Sequence, residues 1–223
     1  MEAVKVADLQ KAFPGPPGTE EVLKSVSFSL EEGSFTALTG ISGSGKTTLI
    51  HLLAGFLKAD AGSISLLGRD IQDMSVKEAA IFRRRHVSVV FQEPALLPSL
   101  TVEENIVLPI VMDTGRLLDT ERLEQIMDSL LLTEKRRRYP AELSGGEKQR
   151  CVCARALFSD TELILADEPA ARLDTRQALE LMGALKECTR TWHRTVLMAT
   201  HNLDLAQICD SQLELKDGSI CFL

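Results

Sequence analysis

The run Gly40-Ile41-Ser42-Gly43-Ser44-Gly45-Lys46-Thr47 matches the pattern G-x-x-x-x-G-K-[ST]. Glycines at these positions let a backbone curl so that successive N–H groups point inward at phosphate oxygens. A helix opening near Lys46 adds the positive end of its dipole. Lys46 is then placed to reach the β- and γ-phosphates of a nucleotide, and the Thr47 hydroxyl to ligate Mg²⁺. Gly40, Ser42, Gly43, Ser44, Gly45 and Thr48 complete the expected cradle. A bound Mg²⁺ also needs a carboxylate at the end of another strand. Leu163-Ile164-Leu165-Ala166-Asp167-Glu168 supplies four apolar residues ending in two acids. Asp167 reads as the carboxylate on the magnesium side, acting mostly through water. Glu168 reads as the general base that polarises the attacking water. On their own the two acids would read equally well as surface groups after a buried strand.

A second glycine segment, Leu143-Ser144-Gly145-Gly146-Glu147, lies well past the middle of the chain. Ser144 followed by Glu147 is a capping-box pattern, and it predicts a helix over Lys148 to Phe158. A cap explains the serine and the glutamate. It does not explain two consecutive glycines, which weaken a helix and let something approach the backbone closely.

Apolar periodicity outlines the elements that must hold these loops. Val26 to Leu30 alternates apolar and polar residues, as in a half-exposed antiparallel strand. Before it, the PGPPG segment at Pro14 to Gly18 predicts a turn or loop. Phe35 to Thr39 reads as a strand feeding the first glycine loop. Leu49, Leu52, Leu53 and Phe56 repeat at helical spacing and predict one buried helix face. Further strands are expected at Ile64 to Leu67, Val87 to Phe91, Leu163 to Ala166 and Val196 to Ala199. The last two are nearly all apolar, as in central strands covered on both faces. Leu123, Ile126, Met127 and Leu130 mark one helix, and Ala178, Leu181, Met182 and Leu185 another. No strand is legible between Gln92 and Ser159, so a helical insertion is expected there. Asp217-Gly218 predicts a closing hairpin.

A chain of 223 residues suits one substantial domain. Its net charge of −7 argues against a nucleic-acid partner, because such binding relies on Lys and Arg against phosphates. Ile106 to Met112 is too short for a membrane span and contains Pro109. The start, MEAVKVADLQ, lacks the basic and long apolar parts of a signal peptide, so a cytoplasmic location is expected. The five cysteines, Cys151, Cys153, Cys188, Cys209 and Cys221, are an odd number without framework spacing and fit reduced thiols. Cys151 and Cys153 fall on the expected helix, point to different faces, and read as buried structural thiols. Arg83-Arg84-Arg85 and Arg136-Arg137-Arg138 read as solvated helix faces, with phosphate or lipid-headgroup contact as the alternative. His51, His86 and His193 read as structural or exposed.

LSGGE, lying between GISGSGKTT and LILADEP, resembles the nucleotide-binding subunits of ABC transporters, and the similarity covers nearly the whole chain. The resemblance implies an α/β fold: a P-loop NTPase core with an N-terminal antiparallel β subdomain and an inserted α-helical subdomain. It implies a single ABC ATPase domain over 1–223, with the β and catalytic core in 1–92 and 159–223 and the helical subdomain over about 93–158. It implies ATP and Mg²⁺ as cofactors, and ATP hydrolysis. Two subunits are expected to meet head to tail, so that Ser144, Gly145 and Gly146 of one close over the ATP held by the other. A second copy of the chain and a separate integral membrane permease subunit are the expected partners, which places the chain on the inner face of the cell membrane.

Further positions carry over singly. Gln92 resembles the glutamine that joins the γ-phosphate and Mg²⁺ to the helical subdomain. His201 resembles the switch histidine that contacts the γ-phosphate; without the family it is an ordinary strand-end histidine. Asp174 resembles part of a loop that touches the opposite subunit, although Ala170 and Arg172 depart from the usual residues there. Phe13 resembles the adenine-stacking aromatic, with a core or turn phenylalanine as the alternative. The apolar loop Glu93 to Pro98 is expected to transmit motion to the membrane partner, or else to be a buried connection. VEENIVLP at Val102 to Pro109 resembles the branch serving lipoprotein release, macrolide export and antimicrobial-peptide resistance. The alternatives are a regulatory or cell-division ABC module of low turnover and a soluble ABC ATPase. The soluble type usually fuses two cassettes or inserts a coiled coil or zinc module, and this chain has neither a CxxC pair nor a heptad run. LSGGE together with His201 argues against a small-molecule kinase.

Overall fold

The computed structural model describes residues 1–15, 18–114 and 118–222. Strands β1 (Glu2–Gly15) and β2 (Gly18–Glu31) form a long antiparallel hairpin. Val4, Val6, Val26, Phe28 and Leu30 point into the core from alternating positions. The register shifts at several points, and at one of them Asp8 and Ser25 both take positive φ and the Ser25 hydroxyl donates to Asp8 Oδ1 at 2.9 Å. The hairpin reaches farther into PGPPG than the expected turn: Pro14 pairs with Thr19 and Gly15 with Gly18. Pro16 and Pro17 lie outside the described residues. β3 (Phe35–Thr39) leaves this hairpin for a second sheet, and the chain returns as β4 (Ala61–Leu66) and β5 (Arg69–Asp70). The first sheet then has the order β2-β1-β4-β5. The expected strand end at Leu67 is a turn residue instead, with φ 51°.

The second sheet adds β6 (Val87–Val90), β7 (Leu163–Asp167), β8 (Thr195–Ala199), β9 (Ser211–Lys216) and β10 (Ser219–Phe222), in the order β10-β9-β3-β8-β7-β6. All its pairings are parallel except β9 with β10. Asp217 and Gly218, both at positive φ, make that last hairpin turn. β3, β7 and β8 are buried throughout. β7 serves two cores by alternation: Ile164 and Ala166 face one, Leu163 and Leu165 the other.

The helices are α1 (Lys46–Leu53), α2 (Val76–His86), α3 (Val102–Thr114), α4 (Thr120–Ser129), α5 (Gly145–Phe158), α6 (Thr175–Trp192) and the short α7 (Leu203–Ala206). Helices α3 to α6 pack on one sheet face; α1 and the first sheet pack on the other. No strand occurs between β6 and β7 among the described residues, as expected. Cys151 and Cys153 are buried on α5, and burial pushes both thiols up to about 12. Among the described residues, no helix is long and apolar enough to cross a membrane.

Two expectations need correction. α1 stops before Phe56, because Gly55 turns the chain at φ 66°. Phe56 therefore leaves the buried face and lies 5.6 Å from the Phe91 ring. The arginine clusters are also more than solvated faces. Arg83 donates to the carbonyls of Ala54 and Gly55 at 3.0 and 3.4 Å, satisfying groups that the end of α1 leaves unpaired. Arg136 pairs with Glu103 and Glu124, and Arg138 with Glu142. α2 itself was hidden from apolar periodicity, yet Ser75 and Glu78 form a reciprocal capping box at its start.

Candidate active site

The buried strand β3 delivers the chain to Gly40, and the loop that follows needs glycine for two different reasons. Gly40, Gly43 and Gly45 take φ of 148°, 81° and 102°, which other residues rarely adopt. Space is also short, since a Cβ on Gly40 would lie 2.5 Å from the Leu215 carbonyl oxygen. Lys46 opens α1 and is only 7% exposed. Its ammonium donates to the carbonyls of Gly40 and Ile41 at 2.7 and 3.0 Å, so it lies folded over its own loop. Ser44 Oγ is buried without a hydrogen-bond partner among the described residues.

The sheet order brings the C-terminal ends of β3, β8, β7 and β6 to one edge. That edge is where open α/β sheets bind ligands. A cleft of about 510 Å³ opens there. The glycine loop contributes Ser42, Gly43, Gly45, Lys46, Thr47 and Thr48 to its wall. Gln92 enters after β6, Asp167 and Glu168 at the end of β7, and His201 after β8; Phe13 and Val22 come from the hairpin. The structure thus gathers residues from five separate chain segments. Gly40 and Ser44 belong to the loop without lining the cleft.

Asp167 is 2% exposed, and its Oδ1 has no hydrogen-bond partner among the described residues. A buried carboxylate oxygen without a partner is costly unless something binds it. With the Thr47 hydroxyl and Gln92 amide in the same cleft, the donors are all hard oxygens suited to Mg²⁺. Glu168 has φ 49°, a strained conformation for a non-glycine residue of the kind that collects at functional sites. Its N–H donates to the Ala199 carbonyl at 3.0 Å, and its Oε1 lies 2.8 Å from His201 Nδ1.

None of Ser144, Gly145, Gly146 and Asp174 lines this cleft. The predicted capping box is present: Ser144 Oγ accepts from the Glu147 N–H at 3.2 Å, and Glu147 Oε2 accepts from the Ser144 N–H at 2.7 Å. That second bond is the main reason the Glu147 carboxyl sits below its usual range. α5 starts at Gly145 rather than at Lys148, so both glycines are in its first turn. Gly146 is explained from within the chain: a Cβ there would lie 3.2 Å from both the Arg172 carbonyl oxygen and Leu173 Cδ2. Gly145 has no such crowding, with its nearest neighbour at 3.8 Å. Asp174 caps α6, its Oδ1 accepting from the Gln177 N–H at 2.8 Å.

Three residues that shape the site were not singled out from sequence. Val22 lines the cleft. Gln149 donates from Nε2 to the Phe91 carbonyl at 3.2 Å, tying α5 to the residue before Gln92. Asn105, fully buried on α3, accepts from the Leu97 N–H and donates to the carbonyls of Leu97, Leu100 and Thr101 at 2.8 to 3.1 Å. It holds the Glu93 to Pro98 segment open as a surface loop, with Leu96 packed inward and Leu97 47% exposed. None of the three carries a recognised motif: Val22 and Gln149 meet partners set by tertiary contact, and Asn105 bonds to an irregular loop only four to eight residues before it.

The profile of the family described as ABC transporter matches residues 23–171. The bacitracin export ATP-binding protein BceA of Halalkalibacterium halodurans is 37% identical, over 99% of this chain and 87% of its own length. The lipoprotein-releasing system ATP-binding protein LolD of Cytophaga hutchinsonii is 36% identical, over 99% of both chains. The macrolide export ATP-binding/permease protein MacB of Shigella flexneri is 36% identical over 97% of this chain, which matches only 34% of that longer protein. A solved structure described as the dimeric post-hydrolysis state of the ATP-binding cassette MJ0796, bound to ADP and Pi, superposes with a TM-score of 0.90. It is 30% identical and is covered to 96%, against 97% of this chain. With the phosphate loop, the acidic strand end and the LSGGE segment on one matching frame, this chain belongs to the ABC transporter family.

Proposed function

We propose that this chain, an ATP-binding and ATP-hydrolysing subunit of the ABC transporter family, works in pairs and drives a separate integral membrane subunit. In each pair, Ser144, Gly145 and Gly146 of one copy cover the nucleotide held by the phosphate loop of the other. One observation carries the reading. The cleft collects Lys46, Thr47, Gln92, Asp167, Glu168 and His201, while the second glycine segment lies outside it with its cap already satisfied.

Within a cleft the roles follow from position. Lys46 exchanges its loop carbonyls for β- and γ-phosphate oxygens, aided by the loop N–H groups and the start of α1. Thr47, Gln92 and Asp167 hold Mg²⁺, which when bound neutralises charge on the phosphates. Glu168 accepts the proton of the water that attacks the γ-phosphorus. The contact between His201 Nδ1 and Glu168 orients that carboxylate, and the other ring nitrogen of His201 is free to meet the γ-phosphate. Phe13 supplies an aromatic face for the adenine.

Residues 1–92 and 159–223 act as the core, and 93–158 as a helical lobe that moves with nucleotide state. Gln92 and the Asn105-supported loop link the two, and Leu97 contacts the membrane subunit. The chain thereby sits on the inner face of the cell membrane. Its sequence branch and its relatives, named for bacitracin export, lipoprotein release and macrolide export, point to a cargo of lipoprotein, peptide or macrolide type.

The deciding experiment is light scattering of the Glu168→Gln variant with and without Mg-ATP. A dimer that forms only with nucleotide is expected. A monomer with verified bound ATP would overturn pairing between identical chains.

A further inference from the structure

Strand β1 outruns its own sheet. Its pairing with β4 ends at Gln10 opposite Ala61, and beyond that point β2 alone flanks it. Phe13 sits on this one-sided extension, opposite Glu20, and lines the nucleotide cleft. A strand end paired on one side frays unless something else holds it.

Asp60 holds it three times. Its backbone N–H donates to the Gln10 carbonyl at 3.0 Å. Its Oδ1 accepts from Lys11 Nζ at 2.8 Å, and its Oδ2 accepts from the Ala12 N–H at 2.7 Å. The grip covers consecutive residues and stops one short of Phe13. The Lys11 ammonium fixed in this way lies 5.3 Å from the Phe13 ring centre, within cation–π range. These contacts hold the Asp60 carboxyl below its ordinary range, chiefly through Lys11. Asp60 itself stands in the loop after α1, the helix that begins at Lys46. One carboxylate therefore ties the loop between α1 and β4 to the strand end beside Phe13.

We propose that Asp60 is a positioning residue for the nucleotide base, fixing the strand end that presents Phe13. The inference rests on the reading of Phe13 as the adenine platform. An exposed ion pair contributes little to global stability, so the effect of Asp60 is local. Charge-assisted bonds to Lys11 and Ala12 are strong enough to decide where one strand end lies.

The test compares ATP with inorganic tripolyphosphate, which has no base, by calorimetry on the wild type, Asp60→Ala and Phe13→Ala. Loss of a stacking platform lowers affinity by roughly tenfold or more, so Phe13→Ala should weaken ATP by that amount and Asp60→Ala by about fivefold. Tripolyphosphate binding and the turnover rate at saturating ATP should be unchanged in Asp60→Ala. Asp60→Asn, which keeps an acceptor for the Ala12 N–H, should fall between wild type and Asp60→Ala and guards against a folding defect. Parallel weakening of tripolyphosphate would overturn the proposal, because the clamp would then act through the phosphate loop. ATP weakened by Phe13→Ala but not by either Asp60 variant would overturn the clamp and leave the platform standing. ATP unaffected by Phe13→Ala would remove the platform reading, and the clamp with it.

Discussion

The two glycine segments resemble each other in composition and differ in almost everything else. In the first, Gly40, Gly43 and Gly45 take backbone conformations that side chains disfavour, and Ser44 Oγ finds no partner among the described residues. Glycine takes these conformations without strain, and the loop's lysine turns back onto its own carbonyls. In the second, neither glycine has positive φ, the cap is reciprocal, and Gly146 is pressed against Arg172 and Leu173. The first loop forms a wall of a cleft within one chain. The second is a finished helix start with open space at Gly145, where an added Cβ would come no nearer than 3.8 Å to a neighbouring side chain. A pocket needs convergent groups, and on the proposed reading such a helix start meets a nucleotide only when a second copy brings one.

Substitutions can break or sharpen this contrast. The largest effect is expected for Lys46→Ala, which should abolish ATP turnover; wild-type activity in a phosphate-release assay would remove the first loop from the chemistry. Next is Glu168→Gln, with turnover lowered by ~10² or more and nucleotide binding kept. Unchanged hydrolysis would place the base elsewhere. Ser144→Arg should leave ATP binding to the single subunit intact while preventing ATP-driven pairing. It should also cost about 1 kcal/mol of stability through the lost cap, read as a small drop in Tm.

Gly145→Ala sharpens the contrast furthest, because fold and function should respond in opposite directions. Helix propensity predicts a gain of up to about 1 kcal/mol, since nothing crowds the new methyl group. Pairing with ATP should nevertheless weaken. A variant that is both more stable and fully active would mean that the second segment only starts a helix. The smallest effect concerns pH. Hydrogen bonding from the Ser144 N–H holds the folded Glu147 carboxyl below the ordinary glutamate value of 4.5, so its contribution is complete above that pH and is lost as pH falls through the folded value. The Tm gap between wild type and Glu147→Gln should therefore be constant near neutrality and close in acid.

Much of this was legible in the residues. The phosphate loop, the acidic strand end, the capping box and the Asp217-Gly218 turn are local patterns, in which each residue's role depends on neighbours a few positions away. The uniformly apolar strands at Leu163 and Val196 likewise announced burial on both faces. The errors have two sources. Phe56 follows the helical spacing of α1 but is cut off by its neighbour Gly55, a local stop that apolar periodicity does not register; distant contact decides the other. Arg83 looks like a surface charge until it meets the end of α1.

Sequence alone therefore determined the chemistry available to this protein: which loop has the pattern of a phosphate cradle, which carboxylates follow a buried strand, and where a capping box stands. Only the tertiary structure decided which groups share a cleft. The sheet order β3-β8-β7-β6 sets Lys46, Gln92, Asp167, Glu168 and His201 along one edge, and the overhang of β1 brings Phe13 to it. The same structure keeps Ser144 away and gives Gly146 a partner within its own chain. The physical reason is that strand order and long-range packing are properties of the whole core, whereas capping and loop geometry are settled within a few residues.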